Sequence, residues 1–336
     1  MTQFRIATKS YIDVHTNKRQ GEVKLGETVA CVHSDDWEEE LKNSVAKFVL
    51  LGIPEDIGVR ANYGLGGTHT LWEPALKAIL NVQHTDKLQG DKLLVLGTFD
   101  FRDLMKTSEH KDAVELRALV AEIDTAVSPV IQKIVACNKI PVVIGGGHNN
   151  AYPILIGTSA AKELPMNCIN LDAHSDYRKM EGRHSGNGFH YAKAKGYLHK
   201  YAVVGLHENY NAQDIVSEFA LNNDLHCSFF EDIFIRNKLT YTQSIRDAIM
   251  HTSGKPTGIE LDLDCIEYVL SSASTPSGIT SLQARQYVSM CAEYTDAAYL
   301  HITEGAVKLR NGKEDSYAPK LVAYLVTDFL KAVAIS

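Results

Sequence analysis

Five short segments hold the residues able to do chemistry: Gly145-Gly146-Gly147-His148, Asp172-Ala173-His174-Ser175-Asp176, Ser185-Gly186-Asn187-Gly188-Phe189-His190, Asp262-Leu263-Asp264 and Thr303-Glu304. Four of them end, or directly follow, a short apolar run that reads as a buried strand. Together they bring His148, His174, Asp172, Asp176, Asp262 and Asp264 to one edge of a sheet. Alternate residues of an extended segment face the same way, so Asp172, His174 and Asp176 can aim at one point, and Asp262 with Asp264 repeats the device. Gathered carboxylates repel one another unless strong positive charge sits among them. A pair of divalent metal ions is the economical explanation. Six ligands for two ions means that some carboxylates are shared. Four carboxylates and two imidazoles, without a thiolate, make an oxygen-rich site that favours Mn2+ over a structural Zn2+. Two ions about 3.5–4 Å apart lower the pKa of a shared water toward ~7, giving a nucleophile at neutral pH.

Each segment alone has a plainer reading. An Asp-x-Asp near a strand end is more often a helix cap or a loop carboxylate. Gly-Gly-Gly-His can be only a tight turn. It is not a nucleotide loop, because it lacks both the Gly-x-Gly-x-x-Gly spacing and a Gly-Lys-Ser/Thr. The combination in this order makes the metal reading specific.

The elements that must position these residues are legible as apolar runs at 48–51, 93–96, 141–144, 168–171, 202–204, 227–230, 259–263 and 298–302. They read as strands covered on both faces. Helical patterns lie between them, clearest at 113–136, 213–221, 242–250, 282–293 and 320–333. The alternation predicts an α/β fold, a three-layer α-β-α arrangement around a mainly parallel sheet of about eight strands. The functional crevice of such a sheet lies beyond the carboxyl ends of its strands, where the five segments fall. The chain reads as a single domain over 1–336, with 1–45 as an irregular N-terminal extension whose acidic stretch Asp35-Asp36-Trp37-Glu38-Glu39-Glu40 forms a solvated helical face.

Composition narrows the function classes. With 336 residues and 45% hydrophobic content, the chain can bury a large core. A net charge of −7 gives no general invitation to nucleic acid or to an anionic membrane. No run approaches the ~20 apolar residues of a membrane helix. The start, Met1-Thr2-Gln3-Phe4-Arg5, lacks a signal-peptide pattern, so the cytoplasm is the expected compartment. The six cysteines form no Cys-x-x-Cys pair and read as reduced residues, with Cys265 beside Asp264 the one near the chemistry.

In order and type, the segments resemble those of the ureohydrolase, or arginase-like, family: arginases, agmatinases, guanidino-acid hydrolases and formimidoylglutamases. The resemblance runs from about Phe48 to the C-terminus and implies the family's α/β sheet, two Mn2+ per subunit and a homo-oligomer. Carried over, His148, Asp172, Asp176 and Asp262 hold one ion. Asp172, His174, Asp262 and Asp264 hold the other, and Glu304 pairs with the cationic amidine or guanidine of a small-molecule substrate with an amino-acid tail. Within the family, Gly52-Ile53-Pro54-Glu55-Asp56-Ile57-Gly58-Val59-Arg60-Ala61-Asn62-Tyr63-Gly64 and Gly-Gly-Gly-His look like formimidoylglutamases, as does Asp-Tyr-Arg at 176–178. Ser-Gly-Asn at 185–187 is arginase-like instead. Phe189 stands where arginases place a proton-shuttling histidine; His190 is next to it.

Charge bears on the substrate. The loop 177–190 holds Arg178, Lys179 and Arg183 against Glu181, which would suit a tail with carboxylates and repel a cationic amine. The alternative is that these residues are merely solvated. Arg60, Asn62, Ser185 and Asn187 are further candidates for the substrate, with an internal ion pair from Arg60 to Glu55 or Asp56 as its plainer reading. Glu208 or Asn209 could take an α-amino group, or form only a loop turn. The reading is a Mn-dependent hydrolase of a linear amidine C–N bond, formimidoylglutamase first, with Asp264 or His190 moving the proton. The in-family alternative is a guanidino hydrolase releasing urea, and the alternative of another class is a non-catalytic metal-binding relative.

Overall fold

A computed structural model describes residues 3–34 and 36–333; Met1 and Thr2 of the N-terminal segment, Asp35 of the acidic stretch and residues 334–336 lie outside the described residues. Its strands are β1 (Gln3–Ile6), β2 (Phe48–Gly52), β3 (Leu93–Asp100), β4 (Ile140–Ile144), β5 (Met166–Leu171), β6 (Leu198–Leu206), β7 (Leu225–Phe229), β8 (Thr257–Asp262) and β9 (Ala297–Thr303). They form one sheet in the order β1-β3-β2-β4-β9-β8-β5-β6-β7. Only β1 is antiparallel to its neighbour; the other pairings are parallel.

All eight expected strands are present, and β1 makes a ninth. It falls in the segment expected to be irregular. Four residues are too few for alternation to stand out, and an edge strand needs a partner on one side only. Here that partner is β3, against which Phe4 packs edge-on to Phe99 with ring centroids 4.9 Å apart. Short helices Lys9–Val14, Leu25–Thr28 and Trp37–Asn43 also occupy that segment. Glu38, Glu39 and Glu40 open the last of these, where the helix dipole favours negative charge.

Strands β2, β5, β8 and β9 are buried on both faces, as a parallel sheet requires, while the edge strand β7 is only partly covered. Alternation splits them between two cores. Leu50, Val142 and Ile144 belong to one, with the helices Trp72–Leu80, Ser281–Tyr294 and Ala318–Ala332. Val49, Leu51 and Val143 belong to the other, with Ala113–Ala136 and Ala151–Lys162. Among the described residues no helix is long and apolar enough to cross a membrane.

Gly258 shows how closely the centre is packed. A Cβ there would sit 2.2 Å from Cζ of the buried Tyr299 ring on the adjacent strand. Gly258→Ala is expected to cost about 1–3 kcal/mol through overpacking, read as a lower denaturation midpoint. An unchanged midpoint would mean that the ring can move aside.

Candidate metal centre

The carboxyl ends of β4, β9, β8 and β5, four neighbours in that order at the sheet's centre, deliver the expected residues to one place. After β4 the chain turns through Gly145 and Gly146, at φ +90° and +77°, a region that side chains disfavour. A Cβ on Gly146 would lie 2.3 Å from the Asn150 amide nitrogen. The turn is held by Glu55, whose Oε1 accepts from Gly147 N–H (3.0 Å), Asn149 Nδ2 (3.2 Å) and Asn150 Nδ2 (2.7 Å). Its other oxygen accepts from the N–H groups of Ile57 and Gly58. Glu55 is thus a bracket for the loop that bears His148. From the sequence it was expected as part of the segment 52–64 and as a possible partner for Arg60, not as this bracket.

His148 Nδ1 has three carboxylate oxygens around it: Asp176 at 2.9 Å, Asp262 at 3.1 Å and Asp172 at 3.2 Å. His174 Nδ1 lies 3.3 Å from Asp264 and 3.5 Å from Asp172. One imidazole N–H cannot serve three acceptors. These contacts describe two sets of ligand atoms facing common centres, His148, Asp172, Asp176 and Asp262 in one, Asp172, His174 and Asp264 in the other, each set within 4.8 Å. Asp172 is common to both. Asp262, expected to be shared, groups only with the first set; its Oδ1 instead accepts from Asp264 N–H at 2.8 Å.

Protein charge alone leaves the cluster frustrated. Burial and then Asp172 push the Asp176 carboxyl up to about 6; burial, Asp264 and Asp172 drive Asp262 well above its usual range. Burial alone would depress the His148 pKa, yet Asp172, Asp176, Asp262 and Glu260 raise it far above an ordinary histidine. Asp264 Oδ1 is buried with no hydrogen-bond partner. Two positively charged histidines cannot balance four aspartates. Two dications can, and the oxygen-rich donor set fits such ions.

Glu304 follows β9 in a left-handed conformation, φ +62°. Its Oε1 accepts from His148 N–H at 2.8 Å and its Oε2 from Ser272 Oγ at 3.1 Å. Burial and then Asp264 push its carboxyl up to about 8, a value that a nearby cation would bring down. Asp262, Asp264, His174, Asp176 and Glu304 all line one open cavity of about 580 Å3.

The other expected site residues divide sharply. Asn62, Arg178 and Ser185 line this cavity. Arg178 Nη1 donates to Asn62 Oδ1 (2.8 Å), whose Nδ2 donates to Ser185 Oγ (3.3 Å). Arg178 also meets Glu181 at 3.3 Å, and Lys179 meets Asp214 at 3.4 Å, so the basic loop is partly neutralised at the rim. Arg60 is placed elsewhere, bonded to Asp56 Oδ1 (2.9 Å) and the Ser108 carbonyl (3.0 Å). Arg183 is buried: it pairs with Asp124 at 2.8 Å, donates to Asn187 Oδ1 and the Asn149 carbonyl, and lies 4.5 Å over the Tyr152 ring. Asn187 is therefore a structural link. Glu208 pairs with Arg236, and neither it nor Asn209 reaches the cavity. Tyr210 and Asn211, just beyond them, do.

His190 is not at the cavity either. Its ring stacks on Tyr177 at 4.5 Å and its Nδ1 faces the Arg178 carbonyl. Phe189 is wholly buried, edge-on to the His148 ring at 5.1 Å, so it packs a ligand rather than moving a proton. The Cys265 thiol is buried, 3.0 Å from the Asp262 carbonyl, and burial drives its pKa well up, which removes it as a nucleophile.

Residues 46–327 match the family model described as the arginase family. The formimidoylglutamase of Hahella chejuensis is 27% identical over 212 residues, covering 57% of this chain and 60% of that protein. The match thus spans about three fifths of that relative's length. The formimidoylglutamase of Chromobacterium violaceum is 26% identical over 254 residues, 70% of this chain and 72% of its own. Similar solved structures include formimidoylglutamase from Bacillus subtilis (TM-score 0.71, 15% identity, 94% of each chain). Trypanosoma cruzi formiminoglutamase with Mn2+2 is another (TM-score 0.68, 16% identity, 93% of this chain and 98% of that one).

The buried Arg183–Asp124 pair yields a stability test. Arg183→Met leaves Asp124 uncompensated, at a cost of about 3–5 kcal/mol. Chemical denaturation in the presence of a chelator should read that loss without interference from metal. A midpoint like that of the unaltered protein would return Arg183 to the list of substrate-facing residues.

Proposed function

The chain belongs to the arginase family, and from that premise we propose that it is a manganese-dependent hydrolase of a linear amidine C–N bond, acting on N-formimidoyl-L-glutamate. The observation that carries the reading is the pair of ligand groups joined at Asp172, opening on the same cavity as Glu304. His148, Asp172, Asp176 and Asp262 would hold one Mn2+, and Asp172, His174 and Asp264 the other. A pair of divalent ions, when bound, supplies Lewis acidity and brings the pKa of water toward neutrality.

The chain's own residues account for the rest. Glu304 is held by His148 N–H and Ser272 Oγ, with carboxylate lone pairs left to accept from the amidinium nitrogen of the substrate. That contact orients the amidine carbon and offsets its positive charge. Hydrolysis breaks the bond from that carbon to the tail nitrogen. The oxygen of water ends on the carbon, giving formamide, and a proton passes to the leaving amine of glutamate. Asp264 would carry that proton, a role supported by its position in the cavity wall and by an Oδ1 with no hydrogen-bond partner among the described residues. Asn62, Arg178 and Ser185 at the cavity wall receive the tail carboxylates; a guanidinium gains charge-assisted hydrogen bonds there that no cationic tail could supply. A cytoplasmic compartment and a homo-oligomeric state complete the proposal, the first supported by six free cysteines.

A substrate panel on Mn2+-loaded protein tests the reaction: formimidoylglutamate, arginine, agmatine and guanidino acids, each with and without prior chelation. Formamide and glutamate release that disappears on chelation is expected. Rapid urea release from arginine would make the protein a guanidino hydrolase instead, and no turnover of any amidine at full loading would favour a non-catalytic relative. Arg178→Met should raise KM for formimidoylglutamate roughly 10-fold or more while sparing kcat, the signature of a uniform binding contact. An unchanged KM would move the carboxylate contact elsewhere.

A further inference from the structure

Glu260 lies on β8 two residues before Asp262, on the same face of the strand, and belongs to neither ligand set joined at Asp172. It is fully buried at the centre of the sheet. Three groups converge on it. Tyr299 Oη donates to Oε1 at 2.8 Å, His301 Nδ1 meets Oε2 at 2.6 Å, and His148 Nε2 lies 3.4 Å from that same oxygen. The contact with His301 is built into the pairing, since Glu260 and His301 are register partners on β8 and β9. The absent side chain of Gly258 makes the slot for the Tyr299 ring.

A carboxylate wholly removed from water is costly unless its lone pairs are satisfied. Packing alone would be served by an apolar side chain at this position. What Glu260 does that an apolar side chain could not is face the outer nitrogen of His148. An imidazole that presents one nitrogen to an ion carries its proton on the other, and the acceptor of that proton fixes both tautomer and ring orientation. His148 Nε2 is buried with no hydrogen-bond partner among the described residues, and the Glu260 carboxylate 3.4 Å away is the acceptor that faces it. Phe189 closes one side of the ring edge-on at 5.1 Å, and the His301 ring lies 6.0 Å away.

We propose that Glu260 is a positioning residue for the metal centre, accepting the Nε2 proton of His148 so that Nδ1 is turned toward the ion, with His301 and Tyr299 holding the carboxylate in place. The inference rests on the metal reading above. His148, Glu260 and His301 also gather within reach of one another as a possible ligand group. Glu260, however, already has both oxygens hydrogen-bonded, which assigns it to support and not to ligation.

Mn2+ titration of the full chain, with free Mn2+ read by electron paramagnetic resonance, tests this without recourse to turnover. The unaltered protein should bind two ions. Glu260→Gln keeps the shape but turns a donor toward the histidines. It should weaken one of the two ions about 10–100-fold and leave the other nearly unchanged. Tyr299→Phe removes one bond to Glu260 and should weaken the same ion by a smaller factor; it keeps the test decisive if Glu260→Gln does not fold in the presence of chelator. Two tight ions in every folded variant would overturn the role of Glu260 alone. Three ions in the unaltered protein would make Glu260 a ligand and overturn it as well. No ion in the unaltered protein would overturn the metal reading, and this inference with it.

Discussion

Repulsion among four aspartate carboxylates, buried together at the carboxyl ends of β5 and β8, is the constraint under which the rest of the centre is arranged. Like charges in a low-dielectric setting do not stay close unless their carriers cannot retreat. Here the carriers are fixed. Asp172 and Asp262 sit at the ends of fully buried strands, and Asp176 is held in a left-handed backbone conformation at φ +46°. Glu304, which lines the same cavity, has the same kind of backbone at φ +62°. Left-handed residues other than glycine store strain, and both of these carry carboxylates of the cluster's cavity.

Support beneath the centre has the same logic. Glu55 gathers five donors under the glycine turn, and Glu260 gathers a tyrosine and a histidine beneath His148. Both are acids buried away from the cavity. Each uses its hydrogen bonds to fix the groups beside a residue of the cluster. At the rim the sign reverses. Arg178 and Lys179 have acidic neighbours only at 3.3 and 3.4 Å, on exposed side chains, where such pairs contribute little and exchange readily with a ligand.

The residues legible in the sequence were those whose position follows from strand period. A buried parallel strand announces itself as an apolar run, and ligands at its end fall at two-residue steps, so Asp172, His174, Asp176, Asp262 and Asp264 could be placed before any coordinates. Glu260 obeys the same alternation, yet its role depends on His301, a register partner on another strand, and no local pattern reveals register. Arg60 took the ion pair with Asp56 that was its plainer reading, four residues away, whereas Arg183 was misjudged for a related reason. Its partner Asp124 is far away in the chain, and a basic residue in a candidate loop looks the same whether it faces a ligand or a buried acid. β1 escaped because an antiparallel edge strand of four residues has neither the length nor the two-sided burial of the others.

The strand order has a consequence for how the chain comes to its native state. β4 and β5 are consecutive in sequence, but the sheet keeps them apart with β9 and β8, which begin only at Ala297 and Thr257. Until that last quarter of the chain exists, β4 and β5 each present an open hydrogen-bonding edge, and His148 and Asp172 have no shared destination. Pairings so distant in sequence close slowly, and exposed edges in the interim invite association with other chains. The candidate metal centre thus lies at the seam that topology leaves until β8 and β9 exist, and chains that lack those strands keep two open edges available for aggregation.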